Sequence, residues 1–129
     1  MSTVRALGAY RTPLVKGPNG RNLCRWCKVE VSSKRRTFCG KPECLHEWRL
    51  RSDPGYVRVC VRQRDHGICA ECGTRADKWE ADHIVPVVEG GGLCGLDGYR
   101  TLCIPCHKRV TAELRARLAA RAATQDPTP

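Results

Sequence analysis

The sequence predicts a small α+β protein whose thin core is stapled by metal-bound cysteines, and three observations lead there. Two cysteine clusters, each opening on Cys-x-x-Cys, mark the chain at 24–44 and 69–106. Short apolar stretches within 78–88 and at 99–102 have the length of strands. The run 105–122 is rich in Ala, Leu and Arg, with Val110, Leu114 and Leu118 four residues apart as the apolar stripe of a helix. At 129 residues, with three Trp, three Tyr and one Phe, the chain suits one domain or two very small ones. So little apolar bulk calls for staples, and ten cysteines can supply them.

Taken in order, residues 1–22 hold basic side chains with Pro13, Gly17, Pro18 and Gly20 breaking any periodicity, which reads as a flexible basic arm. A zinc-finger-like module follows over 23–52, containing the first cysteine cluster and a helix from about Pro42 to Leu50. A second helix spans Pro54 to Asp65, with Asp53 as its cap and Pro54 in its first turn. Residues 78–88, with Ile84, Val85, Val87 and Val88, read as a short strand and its exit. The strand at 99–102 and the helix at 105–122 close a second domain over 53–122, and 123–129 read as a disordered tail.

Lys and Arg number 23 against 13 Asp and Glu, a formal charge of +10 spread along most of the chain. Such a balance fits a polyanionic partner, nucleic acid ahead of an anionic membrane surface. No apolar run has transmembrane length, and Met1–Tyr10 lacks the apolar core of a signal peptide. A cytoplasmic or nucleoid location is therefore expected, where Cys-x-x-Cys pairs bind zinc more often than they form disulfides. Lys34, Arg35 and Arg36 on the first module, and Arg58 and Arg62 on one face of the second helix, are the candidate phosphate contacts. Arg115, Arg117 and Arg121 fit a solvated helix face at least as well. Trp26, Trp48 and Trp79 read as packing residues rather than base-stacking platforms.

Cys69 and Cys72, then Cys103 and Cys106, are two knuckles separated by 30 residues, whose four thiolates can close a tetrahedral zinc shell. Cys24 and Cys27, then Cys39 and Cys44, form a second set in which the last pair has four intervening residues, so His46 is an alternative to Cys44. Cys60, in an apolar helix stretch, and Cys94, in a glycine loop, are left as small buried hydrophobes. His66, near a helix end, reads as a structural residue.

Between the knuckles of the second cluster stand Asp82-His83-Ile84-Val85-Pro86, then Glu89 and Gly90 to Gly92, then Leu96 to Leu102, and Cys106 is followed directly by His107. In this order the residues resemble the HNH nuclease family, from about Cys69 to Thr111. Phe38-Cys39 with Cys44, Arg51-Ser52, Tyr56-Val57-Arg58 and Asp65 to Cys69 further resemble the HNH domain of a vertebrate annealing helicase, extending the likeness to about 38–111. The resemblance implies a zinc-stabilised ββα-metal, treble-clef-like domain over 53–122 beside the N-terminal zinc-binding module. It also implies hydrolysis of DNA to a 5′ phosphate and a 3′ hydroxyl.

Phosphodiester cleavage needs an activated water and a cation on the phosphate oxygens. His83 is the candidate base, because a neutral imidazole takes a proton near pH 7. Asp82 and His107 are the candidate ligands of a catalytic divalent ion, which is Mg2+, Mn2+, Ni2+ or Zn2+. Adjacent strand residues face opposite sides, so Asp82 and His83 need a local bend to share a site. One position departs from the family: where its motif has Asn, this chain has Gly98, with Asp97 as a candidate replacement. The expected partner is DNA, with RNA as an alternative. A non-catalytic zinc-finger module that only binds nucleic acid is the rival reading.

Overall fold

A computed structural model describes residues 13–124. Most of the arm expected over 1–22, and the tail from 125 onward, lie outside the described residues.

The first module is built around a thiol core. Cys24, Val31 and Cys44 are buried together, with Trp26, Cys27, Phe38 and Cys39 packed around them. The knuckle closes through Cys24 N–H to Val29 O at 2.7 Å and Lys28 N–H to Cys24 O at 3.0 Å, with Lys28 in the left-handed region at φ 68°. The described end of the expected arm is tied into this module: Leu23 N–H donates to Val15 O at 2.8 Å, and Lys16 bridges to Asn22. Buried Asn22 donates from its side chain to Arg36 O at 2.8 Å, and Gly17 N–H to Arg21 O at 2.7 Å closes the glycine- and proline-rich turn before it.

Two helices follow, α1 (Pro42–Ser52) and α2 (Pro54–Asp65), each with Pro in its first turn, where no intrahelical N–H is required. Asp53 stops the first and caps the second, its carboxylate accepting from Tyr56 N–H at 3.2 Å and from Arg49 at 3.1 Å. Arg51 of α1 lies 4.4 Å from the ring centre of Trp26, and Arg25 lies 5.1 Å from that of Trp48. These indoles are thus covered by the protein's own cations and hold the first module against α1.

Val57, Cys60 and Val61 of α2 pack on Leu50, Trp79 and Tyr99 to make the main core. Its sheet is an antiparallel pair, β1 (Trp79–His83) and β2 (Tyr99–Cys103), in which Asp82 faces Arg100 and His83 faces Tyr99. The end of α2 docks on β2 through polar bonds. Arg64 donates to Leu96 O and Tyr99 O at 2.8 and 2.7 Å, and Thr101 Oγ1 donates to Asp65 at 2.9 Å. His66 ends α2 in the left-handed region at φ 55°, the structural position expected of it. Helix α3 (Ile104–Thr124) continues directly from β2 and lays Val110 against Cys69, Leu102 and Cys103.

The strand near 84–88 is shorter than its apolar composition suggests. β1 ends at His83, and Ile84, Val85 and Val88 are exposed. Ile84 N–H still bonds Gly98 O at 2.9 Å, but Pro86 has no N–H to continue a ladder, and its carbonyl starts a turn over Val87–Glu89. Gly91 is required there, since a Cβ would lie 1.8 Å from Val85 O. Among the described residues no helix is long and apolar enough to cross a membrane.

Candidate active site

The hairpin and α3 enclose an open cleft of about 550 Å³, lined by Asp82 and His83 from β1, Arg100 from β2, His107 from α3 and Glu71 from the knuckle. Chain continuity explains the grouping. β2 runs into α3 without a loop, so His107 lies one turn into the helix, beside the strand that carries Arg100 and its partner Asp82. His107 Nε2 is 3.7 Å from Asp82 Oδ1, and Arg100 Nε is 3.4 Å from Asp82 Oδ2.

His83 and Asp82 both line the cleft because His83 is the last strand residue and the following loop folds back over its ring. The imidazole is 4% exposed, tilted on Tyr99 at 4.5 Å between centres, with Nε2 3.2 Å from Gly92 O. A carbonyl only accepts, so Nε2 carries the proton and Nδ1 keeps a lone pair. Burial lowers the pKa of His83 below the ordinary histidine value, against smaller opposing effects of the Gly92 carbonyl and Asp82. The ring is therefore neutral near pH 7. Burial raises the Tyr99 phenol, which stays protonated beneath it.

The loop over His83 is pinned to α3. Glu89 accepts from Arg117 at 2.9 Å and from Arg121, and these bonds hold its carboxyl down at about 2. Arg117 and Arg121 are thus engaged within the protein.

The two sets of four cysteines expected from spacing are assembled. In each, all four sulfurs lie within 4.8 Å of one another. Cys27 and Cys39 are 3.7 Å apart, Cys39 and Cys44 3.6 Å, and Cys72 and Cys103 3.8 Å. A tetrahedral ion with bonds of about 2.3 Å sets its sulfurs about 3.8 Å apart, so the donor geometry fits zinc. Against the effect of burial, backbone N–H groups draw Cys24 and Cys69 down to about 6. Burial and neighbouring sulfurs push Cys44 up to about 12, and hydrogen bonding with Cys103 together with burial does the same to Cys106. Four sulfurs this close cannot all be anionic without a cation among them. His46 is not a ligand in this arrangement: its Nδ1 is 2.6 Å from Tyr56 Oη. Cys60 and Cys94 belong to neither set.

Asp97, expected in the site as a replacement for Asn, stands apart from the residues that line the cleft. It is exposed in the short turn Leu96–Gly98. Its charge instead supports Arg64 on α2. The space beside Gly98 is filled from within the loop: a Cβ there would meet Cys94 Sγ at 2.5 Å and Cys94 Cβ at 2.6 Å. Gly98→Asn alone should therefore destabilise the zinc-loaded protein by about 1–3 kcal/mol in urea unfolding, as overpacking does. Adding Cys94→Gly, which removes both contacting atoms, should recover part of that loss. Equal stability of Gly98→Asn and the parent would mean that the loop moves aside freely.

Of the candidate phosphate contacts, Lys34, Arg35 and Arg36 are exposed on the first module, and Arg62 is exposed on α2. Arg58 is partly engaged, 4.3 Å from the ring centre of Trp79 and bonded to Trp79 O at 3.2 Å. None of the five lines the cleft. Sequence reasoning missed Arg100 and Glu71; the pairing of Arg100 with Asp82 in the hairpin register is the signal that finds the first.

The HNH endonuclease family matches residues 69–113, the stretch from the knuckle through the cleft into α3. The chain is 29% identical over 145 aligned positions to the DNA annealing helicase and endonuclease ZRANB3 of Mus musculus, covering 73% of this chain and 14% of that protein. Its Homo sapiens counterpart is 29% identical over 67% of this chain and 12% of its own length. The chain thus spans about one seventh or less of these two relatives. A "Probable HNH endonuclease" of Lactococcus phage SK1 is 34% identical over 74 positions, covering 53% of this chain and 79% of the phage protein. No solved structure matches. Because most of a short relative is covered at this identity, and the family match falls on the strands, cleft and helix described above, the chain belongs to the HNH endonuclease family.

Proposed function

We propose that this protein is a metal-dependent endonuclease that hydrolyses DNA phosphodiester bonds. The observation that carries the reading is the convergence of Asp82 and His107, 3.7 Å apart, beside an imidazole whose proton is fixed on the other nitrogen. Asp82 and His107 would hold the divalent ion, and one oxygen with one nitrogen leaves positions open, a donor set that suits a catalytic ion. Such an ion neutralises phosphate charge and eases departure of the 3′ oxygen. His83 Nδ1 takes the proton of the attacking water, while the Gly92 carbonyl and Tyr99 ring hold the imidazole in place. The two cysteine sets hold structural zinc, the second fixing α3, and so His107, against the hairpin.

DNA as the substrate is supported by the charge of +10 and by the names of the mammalian relatives, which are DNA annealing helicases and endonucleases. Lys34, Arg35, Arg36 and Arg62 would bind backbone phosphates outside the cleft. The test is conversion of supercoiled plasmid by the zinc-loaded protein with magnesium, manganese or nickel, beside an EDTA control and Asp82→Ala. We expect metal-dependent nicking or linearisation that EDTA abolishes and Asp82→Ala reduces by at least about a hundredfold. The absence of Asn at position 98 favours one rival, a module that binds DNA without cutting it. Retained, salt-sensitive DNA binding with no cleavage in any of these metals would establish that rival and overturn the enzyme.

A further inference from the structure

Arg100 occupies the place where a catalytic cation would compete for Asp82. Cross-strand partners in an antiparallel pair share a face, and the register puts Arg100 opposite Asp82. Its Nε is 3.4 Å from Asp82 Oδ2, and its Nη1 is 3.1 Å from Glu71 Oε1. Arg109 holds the other Glu71 oxygen at 3.6 Å. The Arg100 side chain is 24% exposed, which makes this a sheltered pair rather than a loose surface contact.

Building on the reading of Asp82 and His107 as the ion's ligands, we propose that Arg100 couples metal loading to substrate binding. In the free protein, the guanidinium neutralises Asp82 and repels a divalent ion a few ångströms away, so the ion binds weakly. A phosphodiester entering the same cleft offers Arg100 a better-matched anion, because the planar guanidinium takes two phosphate oxygens at once. Glu71 anchors the side chain at its other end, so turning toward phosphate requires only that Nε leave Asp82. Asp82 then becomes available as phosphate arrives, and ion and DNA each tighten the binding of the other.

The experiment is a Mn2+ titration of zinc-loaded protein followed by electron paramagnetic resonance, with and without a short DNA duplex. Both arms use a His83→Ala background, so that cutting of the duplex is slow on the time of the titration, and Mn2+ bound by the duplex alone is subtracted. With Arg100 present, we expect duplex to tighten Mn2+ binding about tenfold, the order of one well-placed charge. Arg100→Gln should tighten binding by the DNA-free protein about tenfold and remove most of the response to duplex. Arg100→Lys, which keeps the charge, should leave the DNA-free affinity near that of the parent. Unchanged Mn2+ affinity in Arg100→Gln overturns the proposal, as does an undiminished duplex response. Asp82→Ala separates this failure from failure of the metal centre: if parent, Arg100→Gln and Asp82→Ala all bind no Mn2+, the ligand assignment falls and the coupling with it.

Discussion

Replacing Cys103 by Ala is expected to unfold α2, the hairpin and α3, with loss of about one zinc per chain and of most helical signal in far-UV circular dichroism. The second cysteine set joins the knuckle at Cys69 and Cys72, the end of β2 at Cys103, and the first turn of α3 at Cys106. No residue of α3 is fully buried, so its docking depends more on this set than on apolar contact. The nearby core cluster contains only Cys69, Leu102 and Cys103, with Ala76, Cys106 and Val110 at its edge. Zinc binding to small structural sites releases about 10–16 kcal/mol, against net stabilities of about 5–15 kcal/mol for whole domains. One missing thiolate leaves the sulfurs of Cys69, Cys72 and Cys106 around an opened site, a deficit larger than this core can absorb. Cys94→Ala is the control, since Cys94 belongs to neither set; it should retain zinc and melt within a few degrees of the parent. If Cys103→Ala keeps its helix content and melting temperature while losing zinc, packing alone holds α3, and the stapled-core account fails.

The parts of this molecule that were legible in the sequence are those set by local chemistry. Helix α2 begins at Pro54 and ends at Asp65, as read from the Asp53 cap and the preference for Pro in a first turn. Cysteine spacing identified both sulfur sets, because two residues between thiols fix a knuckle whatever surrounds it. The stretch 84–88 was less legible: its composition is that of a strand, but Pro86 and the Gly90–Gly92 loop redirect it, leaving Val88 65% exposed. Asp97 is adjacent in sequence to Gly98, the position where the family has Asn, and adjacency is all that spacing offers. The turn at Leu96–Gly98 separates neighbours in chain order, placing Gly98 against Cys94 and leaving Asp97 exposed. Arg100 and Gly92 depend on pairing across the hairpin and on a folded-back loop, and neither can be read from spacing along the chain.

His83→Ala should lower the cleavage rate about 10²–10⁴-fold, equivalent to about 3–5 kcal/mol in the barrier, while Mn2+ and DNA affinities change little. The separation follows from what the side chain touches. His83 contacts Gly92 O and the Tyr99 ring, whereas the proposed ion is held by Asp82 and His107. Truncation also has a structural cost, because the ring is 4% exposed and its bond to Gly92 helps close the loop. Loss of that buried bond should lower stability by about 1–3 kcal/mol, so reduced rate by itself does not identify a base. Added imidazole makes the distinction: it can enter the vacated space and supply a lone pair near that of Nδ1, but it cannot rebuild the link between loop and strand. Partial recovery of rate by imidazole, with no recovery of melting temperature, identifies His83 as the proton acceptor. A rate that imidazole leaves unchanged, but that returns when the variant is stabilised at lower temperature, would instead make His83 a brace for the loop pinned by Glu89 and leave the water to another base.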